Sequence, residues 1–134
     1  MIPHALPMRF PLFGGPPAWR VRLPEDHPLC VGGVYPALAL IELAAQAAGL
    51  AVAEALAAEA MGEGRAAGAH GGMLVEIESA TCERPVVPAG EVLSVAARQT
   101  RTMGALRRYT VDVHGVLVVA LTLRLHEVPA GGAS

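Results

Sequence analysis

The chain has 134 residues, of which 53% are apolar and only 4% aromatic, and its formal net charge is −2. That length makes a single domain of modest core, built from Ala, Val and Leu rather than from rings. The charge balance, without an Arg stripe to neutralise phosphates, argues against nucleic acid as a partner. Two cysteines, Cys30 and Cys82, with no CxxC and no Cys/His cluster of zinc spacing, imply reduced thiols in the cytoplasm and no metal or redox cofactor.

Residues 1–17 carry Pro and Gly at close intervals and no apolar stretch of signal-peptide type, so they are expected to run irregularly over the surface of a mature cytoplasmic protein. In "AWRVRL" (18–23), Trp19, Val21 and Leu23 alternate with Arg20 and Arg22, the pattern of a half-buried strand. "PEDHPLCVGGVYP" (24–36) reads as a loop, with three prolines and the Gly32-Gly33 pair.

A long helix is expected from Ala37 to about Met61, followed by a Gly-rich connection over 62–72. From Ala37 to Ala53 only Glu42 and Gln46 interrupt Ala, Leu, Ile, Val and one Gly. A helix apolar on every side is normally enclosed, and an enclosed carboxylate costs several kcal/mol unless paired or protonated. By length alone the segment matches a membrane span, but Glu42, Gln46 and Glu54 argue against one.

Beyond residue 72 the period changes from 3.6 to 2. Strands are expected at 73–79, 92–101, 105–114 and 116–128, with a Pro-bounded turn or edge segment at 82–91. Met103-Gly104 and His114-Gly115 mark tight hairpins, and 129–134 forms a tail. The reading is a single α+β domain over 1–134, one long central helix wrapped by a curved antiparallel sheet. Such a helix lacks a polar outer stripe, so a second copy is expected to cover what the sheet leaves open, giving a homodimer or higher homo-oligomer.

These residues and their order resemble the hotdog fold, and within it the 3-hydroxyacyl-ACP dehydratases of fatty-acid synthesis. The family's helix reads Pro-Gly-Val-x-x-x-Glu-Ala-x-Ala-Gln-x-x-Gly; here Pro36-Ala37-Leu38, Glu42-Leu43-Ala44-Ala45-Gln46 and Gly49 match it without a gap. "RPVVPAGE" (84–91) is similar to the family's Arg-Pro-Val-x-Pro-Gly-Asp with one residue inserted, and the resemblance covers roughly 18–128. It implies an acyl chain on ACP or CoA as substrate, no cofactor, and a site in which the His of one subunit meets the Glu of the other. The family's loop before the helix, Gly-His-Phe-Pro-Gly-x-Pro, has no equal here. One alignment sets His27 on the catalytic His; the other keeps Asp26-His27-Pro28 upstream and sets Gly33 there, with about five residues missing.

Dehydration of a 3-hydroxyacyl thioester needs a base for the C2 proton, an acid for the leaving hydroxyl, and N–H donors for the thioester oxygen. The resemblance gives His27 and Glu42 the first two roles, chemistry that suits an imidazole and a carboxyl raised by apolar walls. The N–H groups at the helix start, near Ala37 and Leu38 with Gly32 and Gly33 close by, suit the third. Gln46 shares the helix face of Glu42 and completes a polar notch toward substrate.

The bland readings are a notch that only ties down a loop and a solvated or structural His27. His4, His70, His114 and His126 read as structural, and nothing near Cys30 lowers its pKa toward a nucleophile. Arg107 and Arg108 read as a solvated face or as holders of a carrier's phosphate or acidic surface. The expected activity is therefore dehydratase or hydratase. The alternatives are a thioesterase on the same fold using Glu42, and a non-catalytic acyl-binding protein whose shortened loop has lost the base.

Overall fold

The computed structural model describes residues 10–15, 18–62 and 70–127. His4, the core of the Gly-rich connection and the tail lie outside them, as do the side chains of His70 and His126. Trp19, Val21 and Leu23 alternate inward as their spacing predicts, placing strand β2 (Ala18–Arg22) over the core with Arg20 and Arg22 exposed. Residues 12–15, expected to be irregular, form strand β1 (Leu12–Gly15), in which Leu12 pairs with Val21 and Phe13 with Arg20. The open edge of β2 supplies a ladder that the Pro and Gly punctuation of this segment conceals in the sequence.

The loop 24–36 ends in strand β3 (Val34–Pro36), which pairs with strand β5 (Val86–Pro88). A 3₁₀ turn, Ala37–Leu40, then leads into helix α1 (Ile41–Gly62), so the α-helix proper begins four residues later than expected. Its Ala, Leu, Glu and Gln are strong helix formers, and Gly is its last residue.

Strands β4 (His70–Cys82), β6 (Val92–Met103), β7 (Leu106–Val113) and β8 (Leu117–Glu127) complete a six-stranded antiparallel sheet in the order β1-β2-β6-β7-β8-β4. Gly104 and Gly115 sit in the turns of the two expected hairpins. The inward residues Leu117, Val119, Leu121 and Leu123 of β8 are buried, as their alternation predicts. β4 is longer than expected and carries two bulges, between Leu74 and Glu76 and between Ile77 and Ser79. These bulges bend the edge strand and increase its twist.

Helix α1 packs on β4, β6, β7 and β8 through Leu43, Ala44, Ala47, Ala48 and Val52. As expected of a helix without a polar outer stripe, the sheet leaves one side open within one chain: Leu38 is 61% exposed, and Glu42, Leu50 and Ala53 line the same side. A single curved sheet covers only one face of a straight cylinder, so Glu42 stands at the surface of the isolated chain.

Candidate functional site

The segment 84–91 positions the start of the helix. Arg84 grips Glu91 with two parallel N–H···O bonds of 2.6 and 2.8 Å, closing the ends of the Pro-bounded turn. That contact holds the Glu91 carboxyl below the usual carboxylate range and raises the Arg84 guanidinium. The closed turn is tied to β2 by Leu23 N–H to Glu91 O, 3.0 Å, and Gly90 N–H to Leu23 O, 2.7 Å. On its other side it reaches the helix, where the Ala37 N–H donates to Pro85 O at 2.8 Å.

The last contact corrects one expectation. The Ala37 N–H already has a backbone acceptor and cannot also serve a substrate oxygen. Leu38, the next residue, stands exposed in the first turn, where helical N–H groups lack intrahelical partners. Gly32 and Gly33 have φ of 62° and 80° and link Val31 to Val34, whose N–H and C=O groups pair in both directions. Positive φ at both central residues is the requirement of a type I′ turn, which explains the Gly-Gly pair by geometry alone. Both are exposed, and the Gly33 carbonyl accepts from the Ala89 N–H at 2.9 Å.

His27 lies at the head of a second turn. Pro28 presets the backbone, and the Cys30 N–H donates to His27 O at 3.0 Å. The imidazole is only 6% exposed and stacks on Phe10 with ring centroids 4.2 Å apart and planes 14° from parallel. Its Nδ1 accepts the Leu29 N–H at 3.1 Å, so the neutral ring carries its proton on Nε2. That Nε2 is buried with no hydrogen-bond partner among the described residues. So held, Nε2 is a donor, whereas a base acting through it needs the opposite tautomer. Tyr35 closes the cluster, its ring centroid 5.9 Å from that of His27 and its hydroxyl donating to Pro24 O. Burial, followed by the Cys30 and Asp26 charges, pushes the Tyr35 hydroxyl up to about 12.

Gln46 is tied to the same cluster. Its Oε1 accepts the Phe10 N–H at 2.8 Å, and its Nε2 donates to the Phe10 carbonyl at 2.6 Å. Beside this pair lies an open groove of about 430 Å³ lined by Phe10, Pro11, Leu12, Gln46 and Leu50. The structure thus joins His27 to Gln46 through Phe10 and leaves Glu42, one helical turn away, without a hydrogen-bond or ion-pair partner among the described residues. Phe10 is the residue that sequence reasoning missed; its signal is that the chain has only two phenylalanines. Arg107 donates to Gly104 O and Leu106 O, while Arg108 pairs with Glu78 at 2.5 Å, so both serve the sheet in this chain.

Two solved structures share this architecture. The dehydratase heterocomplex ApeI:P from Xenorhabdus doucetiae is 20% identical, with a TM-score of 0.64 over 95% of this chain and 88% of that one. A thioesterase from Haemophilus influenzae is 18% identical, with a TM-score of 0.61 over 92% of this chain and 81% of its own. The chain has the hotdog fold. No family model and no curated protein matches the sequence. One neighbour is a dehydratase and the other a thioesterase, and at these identities the likeness establishes fold alone.

Proposed function

We propose that this hotdog protein is a subunit of a 3-hydroxyacyl-thioester dehydratase or hydratase, acting on an acyl chain carried by ACP or CoA. The observation that carries the reading is Glu42, a carboxyl without a partner among the described residues, in the first turn of α1 on an otherwise apolar open stripe. A facing apolar subunit would enclose it beside the acyl chain, where its carboxyl can pass a proton to the leaving hydroxyl at C3. The Leu38 N–H, in the 3₁₀ turn that leads into α1, would donate to the thioester oxygen as enolate character develops.

The base comes from the facing subunit in this reading, because His27 as held presents a buried Nε2–H. The open helix stripe and the β4 edge, where Met73 (54%), Leu74, Val75 and Ile77 are exposed, form the surface that subunit covers. A second copy would bring an equally closed His27; a different hotdog chain would bring its own base. The similar dehydratase structure is itself a heterocomplex, which supports the second arrangement. We place the assembly in the cytoplasm.

A thioesterase is the second reading, and the closed His27 favours it: a lone carboxylate suffices to activate water against a thioester. One of the two similar structures is a thioesterase.

Following enoyl-CoA absorbance and thiol release together tests both, with and without added imidazole as a stand-in base. The dehydratase reading predicts Glu42-dependent hydration that imidazole stimulates, with no thiol formed. Thiol release at constant enoyl absorbance would favour the thioesterase. Silence in both channels under all conditions would remove the catalytic reading.

A further inference from the structure

The β6–β7 hairpin runs Arg101-Thr102-Met103-Gly104-Ala105-Leu106-Arg107-Arg108, an apolar tip bracketed by arginines. Tight hairpin tips are ordinarily built on Asn, Asp and Gly. Here residues 101–105 are all exposed, and Met103 leaves 40% of its surface open. Met103, Ala105 and Leu106 stand outside the hydrophobic core.

Strand pairing gathers arginines that the linear sequence scatters over 98–124. Leu106 and Arg108 alternate with the buried Tyr109 and Val111, so they face away from α1. On that outer face Met103, Leu106 and Arg124 stand side by side in one row across three strands. Arg101 and Arg108 oppose each other in the next row, about 7 Å behind, and Arg98 opposes Thr110 in a third. With Arg107, whose guanidinium folds back onto Gly104 O and Leu106 O, this end holds five of the chain's 10 basic residues. The carboxylates described around it are Glu78, paired with Arg108 at 2.5 Å, Glu76, opposite Thr122, and Glu59, which shares a small cavity with Arg107. Like charges set directly opposite destabilise a sheet, so the Arg101–Arg108 pairing calls for an anion from outside the chain.

We propose that this end of the sheet docks on an anionic lipid bilayer. Met103 and Leu106 enter the boundary between headgroups and acyl chains, while Arg98, Arg101, Arg108 and Arg124 lie against the phosphates. Shallow insertion of this kind reaches about 5–10 Å, which matches one row of apolar side chains ahead of the arginine rows. Guanidinium groups suit phosphate oxygens because they offer paired, charge-assisted N–H donors. An acidic protein would account for the arginines alone; the apolar tip among them favours lipid. The surface lies beside Glu59, about 25 Å along the helix from Glu42, so it stands or falls independently of the thioester reading.

Cosedimentation of the whole chain with phosphatidylcholine vesicles, with and without phosphatidylglycerol, is the test. The wild-type chain should pellet with the anionic vesicles and stay in solution with the neutral ones. It should be released at about 1 M salt, where screening shrinks to about 3 Å. Arg101→Ser should weaken binding about fivefold, the weight of one cation at an anionic surface. Met103→Ser should weaken it as well, and both positions are exposed, so the fold is kept. Met103→Trp should bind at least as tightly as wild type. Its new indole emission should shift to the blue on the vesicles, over a constant background from the buried Trp19.

No pelleting with anionic vesicles would overturn the proposal. So would binding that needs Arg101 but ignores Met103 and gives no emission shift, because that pattern is adsorption by charge alone, as to an acidic protein.

Discussion

The loop 24–36 and the open stripe of helix α1 both carry polar groups of catalytic type, yet they are treated oppositely. In the loop, His27 is stacked, buried and fixed in one tautomer by a backbone N–H, and Tyr35 is sealed beside it. On the helix, Glu42 stands open among alanines and leucines with no partner among the described residues. A polar side chain enclosed and bonded by its own chain is committed to the fold. One left open on an apolar face is available to a partner or substrate. On the proposed reading the loop packs and the helix carries the chemistry.

The Phe10 clamp links the two regions, and breaking it should have the largest effect on stability. Phe10→Ala removes a buried ring that stacks on His27 and tilts against Tyr35, and should cost about 3–5 kcal/mol in chemical denaturation. Gln46→Leu should cost less, about 1–3 kcal/mol, since it leaves the Phe10 N–H and C=O unpartnered without opening a large cavity. A loss after Gln46→Leu equal to that of Phe10→Ala would mean that the hydrogen bonds, not the ring, hold the segment.

The open side is probed at β4. Ile77→Asp puts a charge on the exposed edge and should abolish association with the covering subunit, read as a light-scattering mass that falls to that of the lone chain, without unfolding it. An unchanged mass would move the interface elsewhere.

The closed side is probed by alkali. Tyr35, raised to about 12, and Tyr109, also raised by burial, are the only tyrosines. Because the folded-state pKa of Tyr35 exceeds the ordinary 10.0, its contribution is complete below pH 10 and is lost as pH climbs toward 12. Tyrosinate absorbance should therefore rise late and together with unfolding. Two tyrosines titrating normally in a folded chain would show that the cluster is wet.

Much of this was legible in the residues. The alternation of Trp19, Val21 and Leu23, and of Leu117 through Leu123, dictates which faces are buried because strand side chains repeat every two positions. The Gly-Gly pair and the prolines mark turns for stereochemical reasons. That one side of α1 stays open was expected from its missing polar stripe, but which residues form that side was not legible, because a helix without a polar stripe reads identically on every face. Nor was the contact of Phe10 with His27 and Gln46, which spans 36 positions from Phe10 to Gln46 and depends on where β1 pairs. Periodicity reports faces; it does not report which distant segment lies on them.

The division between His27 and Glu42 is tested most directly by one crossed measurement: turnover and melting temperature of Glu42→Gln and His27→Gln in the imidazole-supplemented enoyl-thioester assay. Glu42→Gln should lower kcat by on the order of 10² or more with the melting temperature held, since Glu42 is exposed and has no partner among the described residues. His27→Gln should lower stability by about 1–3 kcal/mol, through the lost stack and the stranded Leu29 N–H, while kcat at a temperature where the variant is folded stays within a few-fold of wild type. The opposite pattern, a His27→Gln chain that is stable but inactive, would make His27 the base and contradict the account.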